Sequence, residues 1–154
     1  FMGKQIRIGI AGYGNLGREL DTPLRPTTMT LGGLLKHLAV VEAGWLNLTF
    51  AGWAAKPSWL DDLDPEDPDW SFSSAREASP EQLFAWLDES IKVSDQVIAG
   101  ALATEEGLST LSAEEDEGQH ISLRWILCHL IEEYARHNGH ADLLREAIDG
   151  STGE

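Results

Sequence analysis

An all-α helical bundle is the fold class this sequence predicts, and three observations predict it. Three stretches carry apolar residues at helical spacing over several turns. Each opens on a residue or motif suited to capping a helix. After residue 20 no stretch alternates apolar and polar side chains as a half-buried strand would, and no internal repeat is present.

The elements follow in order. Residues 4–20, KQIRIGIAGYGNLGREL, begin with Ile6, Ile8 and Ile10 in alternation and then turn glycine-rich, which reads as a short strand and a turn. Residues 21–29 hold Pro23 and Pro26 and read as a connector. Thr30 is the N-cap of the first long helix, whose stripe is Leu31, Leu34, Leu35, Leu38, Val41, Trp45 and Leu48, and which should fade near Gly52. Residues 54–78 form a loop with Pro57, Pro65 and Pro68 and the acidic run DDLDPEDPD. Ser79-Pro80-Glu81-Gln82 is a capping box with proline at the first helical position. Its stripe of Leu83, Trp86, Leu87, Ile91, Ser94, Val97, Ile98 and Leu102 runs to about residue 103. A second acidic loop, with EEDE at 114–117, leads to His120. Ser122 caps the last helix, apolar at 123, 126, 127, 130, 131, 134, 141, 144 and 148, and Gly150 stops it. The reading is a glycine-rich leader over 1–21 and one bundle domain over 22–150.

Composition bounds the function. At 154 residues, 42% of them hydrophobic, the chain suits one domain with a real core. Its net charge of −15 makes nucleic acid and anionic membrane surfaces poor partners. No apolar run approaches the roughly 20 residues that cross a bilayer, and glycines interrupt the only apolar stretch at the start, unlike a signal peptide. The single Cys128 excludes an internal disulfide framework and fits a reducing, cytoplasmic compartment. Of six tryptophans, those at 45, 53, 86 and 125 fall on helices or their ends and read as core or pocket wall. Trp59 and Trp70 sit in the first acidic loop and should fold it down as a lid.

Gly12-Tyr13-Gly14-Asn15-Leu16-Gly17 satisfies G-x-G-x-x-G after an apolar strand, the form of a dinucleotide-binding turn. Residues 5–18 resemble the amino terminus of meso-diaminopimelate dehydrogenases, and that resemblance implies NADP. The context then fails: a second parallel strand should follow, and the chain instead enters a proline connector and long helices. The motif at Gly12, Gly14 and Gly17 is therefore read as a decoy, with no cofactor bound there.

The chemistry lies on the last helix. His129, Glu133 and His137 sit at successive steps of four and His140 three further on, on one side of the helix, beside Ile126, Leu130, Ala141 and Leu144. His37 falls within the stripe of Leu34, Leu38, Val41 and Trp45 on the first helix. Glu133, His137 and His37 together would make a facial metal site of two nitrogens and one carboxylate, with positions left open for water or substrate. Taken singly, His37 also reads as a hydrogen-bonded core histidine, and Glu133 with His137 as an ordinary surface pair. His120 reads as solvated, and Cys128 as a core thiol turned away from Glu133 and His137.

TLGGLLKHLAVVEAGWL (30–46) and LRWILCHLIEEYARHNGHADLLREAIDG (123–150) resemble the DinB-like, YfiT-like helical bundles, closest to the branch with mini-circle proteins and mycothiol-dependent maleylpyruvate isomerase. The resemblance spans about residues 22–150, and EEYARHNGHADLLRE is its most specific part. It implies a DinB-like four-helix bundle whose first helix is here replaced or degraded, and a divalent metal, zinc or else nickel, on His37, Glu133 and His137. His140 and Asn138 become second-layer or substrate-facing residues. The implied function is metal-assisted transfer or isomerisation with a small thiol such as mycothiol and an electrophile as partners. The alternatives are a non-catalytic metal-binding or interaction bundle and a metal-assisted hydrolase. Losing the first helix would expose an apolar groove, to be covered by a second subunit in a homodimer or by residues 1–20.

Overall fold

The computed structural model of the protein describes residues 19–53, 56–64 and 66–152. The strand expected around Ile6–Ile10 and the glycine motif Gly12–Gly17 lie outside them. Glu19 and Leu20 are helical, where the sequence suggested a turn.

Helix α1 spans Leu31–Glu42 and continues as a π-helical segment, Ala43–Phe50. Thr30 caps it as expected, its hydroxyl accepting from the Gly33 amide at 3.0 Å. The fading near Gly52 is real, but the π turns before it were not legible in a stripe that reads as continuous helix. Two short 3-10 turns, Ser58–Leu60 and Ala75–Glu77, and a four-residue helix α2, Trp70–Ser73, occupy the first acidic loop. Helix α3 spans Pro80–Leu102 and opens on a full capping box of Ser79 and Gln82. Helix α4 spans Leu123–Asp149, capped by Ser122 and ended by Gly150 at φ 76°, a left-handed conformation that glycine adopts without steric cost.

The second acidic loop is a correction. Leu111–Asp116 (β1) and Gln119–Ser122 (β2) form an antiparallel hairpin where no strand was expected. Glu117 (φ 49°) and Gly118 (φ 80°) form its two-residue turn, both in the left-handed region such hairpin turns require. The alternation went unread because Ser112, not an apolar residue, is the buried position of β1, its hydroxyl accepting from the Ile121 amide at 3.0 Å. β1 packs on the π segment, and a Cβ on Gly52 would come within 3.2 Å of Ala113.

Cross-contacts fix the directions of the helices. Gly32 lies against Leu83 and Glu42 against Ser94, so α1 and α3 run parallel; the long 51–79 connection makes that possible. His37 meets His137 while Trp45 meets Trp125, so α4 runs antiparallel to α1. One core cluster gathers Leu31, Leu34, Leu35, Leu38, Leu83, Leu87, Tyr134 and Leu144, and a second gathers Leu46, Phe50, Leu123, Ile126 and Leu130. Leu20 is buried in the first cluster, its carbonyl so close to Gly32 that a Cβ there would stand 3.2 Å away.

Within this core is a buried carboxylate. Glu42 accepts from Ser94 Oγ at 2.5 Å and from the Tyr134 hydroxyl at 2.9 Å. Burial pushes the Glu42 carboxyl up, against the pull of those two hydroxyl donors. Burial and the facing Glu42 charge push the Tyr134 phenol up as well.

Candidate metal centre

Three side chains converge between α1 and α4. Nε2 of His37 stands 3.7 Å from Oε2 of Glu133, and Nε2 of His137 stands 3.3 Å from the same oxygen. One ligand atom from each of the three lies within 4.8 Å of the others. A tetrahedral cation with bonds of about 2.0–2.1 Å separates its ligand atoms by about 3.3 Å. The donor set and its spacing therefore fit a zinc-type ion held by three protein ligands with a position left open.

Each of the three side chains is oriented from behind. Ser71 Oγ lies 3.3 Å from His37 Nδ1, leaving Nε2 to face the centre, and Phe72 stacks on the same ring with centroids 5.0 Å apart. Gly33 permits this approach, since a Cβ there would fall 2.7 Å from Phe72 Cδ1. Arg136 donates to Glu133 Oε1 at 2.7 Å, so Oε2 is the oxygen turned toward the histidines; the same guanidinium also bonds Glu132. His140 Nδ1 lies 3.3 Å from His137 Nδ1.

The electrostatics favour ligands in their binding protonation states. Burial lowers the His37 imidazole, opposed by the Glu133 carboxylate and reinforced by Arg136. Burial lowers His137 too, with the His37 and His140 charges adding to it and Glu133 opposing. Burial acts to raise the Glu133 carboxyl, but Arg136 and the imidazoles of His137, His129 and His37 outweigh it and hold the group below the usual carboxylate range.

The turn that presents Ser71 and Phe72 is pinned by the residue before His37. Lys36 is buried, its ammonium donating to Ser74 Oγ at 2.7 Å and lying 3.9 Å from the centre of the Trp70 ring. Burial lowers its pKa, against the attraction of Glu77 and Asp62. Ser74 in turn donates to the Trp70 carbonyl. Consecutive residues of α1 thus grip consecutive parts of one loop, and Trp59 stacks on Trp86 at 5.5 Å beside them. The two loop tryptophans do fold the acidic segment onto the bundle.

Of the residues singled out in the sequence, His37, Glu133 and His137 are brought together and His140 touches His137. His129 is set apart, one turn along α4 against Trp45 and Trp125. Asn138 Oδ1 is buried with no hydrogen-bond partner among the described residues. His120 is half exposed and lies 3.9 Å from Glu115. Cys128 is exposed, which corrects its reading as a core thiol: it does turn away from Glu133 and His137, but the side of α4 it occupies faces outward. Sequence reasoning missed Ser71, Phe72 and Lys36, whose role depends on a loop returning to α1. Arg136 had a visible signal, three residues after Glu133 and four after Glu132.

Parallel α1 and α3 with α4 packed antiparallel on α1, and an inward pair of imidazoles beside a carboxylate, define a helical-bundle protein with an open, metal-competent centre. The chain belongs to the mycothiol-S-transferase family, a DinB-like family whose model matches residues 17–150. No curated protein and no solved structure matches it. No helix among the described residues is long and apolar enough to cross a membrane.

Proposed function

We propose that the protein is a metal-dependent thiol S-transferase that joins a low-molecular-weight thiol of the mycothiol type to an electrophilic carbon. The observation that carries this is the convergence of His37 Nε2, Glu133 Oε2 and His137 Nε2 within 4.8 Å of one another, in a chain of the mycothiol-S-transferase family. His37, Glu133 and His137 hold the cation, zinc or else nickel. When bound, such a cation stabilises a thiolate over a thiol, making the sulfur nucleophilic at neutral pH.

The chain's own residues set the geometry. Ser71 and Phe72 fix the plane of the His37 ring, and Arg136 occupies the outer oxygen of Glu133 so that the carboxylate presents one oxygen inward. Glu133 and His137 are buried while the His37 side chain keeps 25% of its surface exposed, so substrate approaches along the His37 edge. In transfer to an aryl chloride, the thiol proton leaves to solvent, a carbon–sulfur bond forms and chloride departs with the electron pair of the broken bond. The acidic surface makes nucleic acid and anionic membrane unsuitable partners, in keeping with a soluble, cytoplasmic role. The reading of a homodimer in solution rests instead on the apolar groove that loss of the family's first helix would expose.

Elemental analysis of protein purified without chelator, wild type beside His137→Ala, tests the centre. One divalent metal per chain in the wild type and its loss in the variant are expected, together with loss of mycothiol transfer to chlorodinitrobenzene. Equal metal content in the two proteins refutes the centre, and a metal-loaded wild type silent with every small thiol and electrophile refutes the transferase.

A further inference from the structure

His37 and Glu133 each stand at the start of an aromatic path leading away from the centre. On α4, His129 lies one turn and Trp125 two turns before Glu133, about 6 and 12 Å along the axis. On the α1 side, Trp45 follows His37 by eight residues, in the π-helical segment, a wider turn of the kind found often at functional positions. The antiparallel packing brings these together one to two turns of α4 away from the centre. His129 stacks on Trp125 with centroids 5.2 Å apart and planes 7° from parallel, and Trp45 meets the two rings at 4.7 and 5.4 Å.

This cluster is not a closed core. Trp125 keeps 45% of its surface exposed, a large apolar side chain two turns of α4 from a polar centre, and Trp45 and His129 are half-buried beside it. The three rings offer π faces and edges where the Glu133 level offers charge. A planar conjugated molecule would bury its face against such rings with a reactive carbon directed at the Glu133 level.

We propose that Trp45, Trp125 and His129 form a stacking platform for the planar, conjugated portion of the electrophile, which makes this bundle selective for aromatic or conjugated acceptors. The proposal rests on the transferase reading, and the test separates the two. Metal-loaded wild type and Trp125→Ala are compared with one thiol and two acceptors, chlorodinitrobenzene and iodoacetamide. The variant should raise KM for chlorodinitrobenzene about tenfold, leave KM for iodoacetamide and for the thiol within about twofold, and be restored by Trp125→Phe. Equal losses with both acceptors, or a rise confined to the thiol KM, overturn the platform.

A second measurement needs no turnover. Calorimetric binding of S-(2,4-dinitrophenyl)-N-acetylcysteine should weaken about tenfold in Trp125→Ala and in Trp45→Leu. If the wild type transfers thiol but both variants bind the conjugate unchanged, the platform falls and the transferase stands. If no transfer occurs yet the conjugate binds and the variants lose it, the platform stands and the transferase falls. A wild type that neither transfers nor binds overturns both.

Discussion

Ser71 Oγ stands 3.3 Å from Nδ1 of His37, thirty-four residues earlier in the chain, and so orients that ring from the loop side. Hydrogen bonds of this kind behind a metal-binding histidine fix its tautomer and ring plane, and losing one costs about 10–100-fold in metal affinity. Ser71→Ala should therefore weaken zinc binding by about that factor in a competitive chelator titration, with the unfolding midpoint in excess chelator little changed. An unaltered affinity would mean that helix packing alone orients His37.

The two imidazoles also predict a pH dependence of the metal-free protein. Their folded pKa values are lowered, chiefly by burial, so the unfolded chain binds protons more readily as pH falls below about 6.5. Above that pH neither state is protonated at these rings and no penalty applies; below it, protonation penalises the folded state increasingly until the lowered values are passed. Glu133, held low, works in the same direction at more acid pH, its contribution being lost as pH falls through its folded value. Thermal unfolding in chelator should fall from pH 7.5 to pH 5. The double variant His37→Gln, His137→Gln should flatten the slope over that interval, and an identical slope in the variant would remove the imidazoles as its cause.

Glu42 works with the opposite sign. Its folded pKa is raised by burial, so the stability tied to its proton is present below the ordinary carboxylate value and lost as pH rises through the folded value. At neutral pH the Tyr134 hydroxyl and Ser94 Oγ are what keep this carboxylate tolerable. Tyr134→Phe should cost about 1.5–3 kcal/mol in urea unfolding, with a smaller cost in a Glu42→Gln background, since the bond then goes to an uncharged acceptor. Additive losses in the double-mutant cycle would show the hydroxyl and the carboxylate to be uncoupled.

Helical glycines should respond in opposite ways. Gly100 in α3 and Gly139 in α4 have open space where a Cβ would go, so alanine at either should stabilise the protein by about 1 kcal/mol through helix propensity. Gly33→Ala should gain the same propensity yet lose overall, because its Cβ would fall 2.7 Å from the Phe72 ring that stacks on His37. Its unfolding midpoint and its zinc affinity should both drop. A Gly33→Ala protein as stable and as tightly metal-binding as Gly139→Ala would show that Phe72 moves at no cost to the centre.

The helices were legible because their signals are local. Thr30, the Ser79–Gln82 box, Ser122 and Gly150 satisfy or terminate backbone hydrogen bonds within a few residues of themselves, and each does so as its spacing suggests. That Glu133, His137 and His37 meet was legible for a related reason: polar side chains repeated on apolar stripes are costly to bury unless they find a partner, so the stripe itself indicates where they face. The hairpin at Leu111–Ser122 was not legible, because its pairing rests on a buried serine and a Glu117-Gly118 turn inside a run of acids. Cys128 was misread because a helix with one buried face does not announce from spacing alone where its boundary with solvent falls.

By itself, then, the sequence determined three capped helices, a large acidic excess carried mainly in the two connections between them, and the three residues able to share a cation. Only the tertiary structure decided how those residues are held. Parallel packing of α1 on α3 returns the 51–79 connection across α1, where Lys36 grips Trp70 and Ser74 while His37 receives Ser71 and Phe72. Antiparallel packing of α4 sets Trp45 against Trp125 and His129, one to two turns of α4 from Glu133. Periodicity reports which face of a helix is buried; what lies against that face depends on helix direction and on loops that close over long separations, and these are fixed by packing the whole chain.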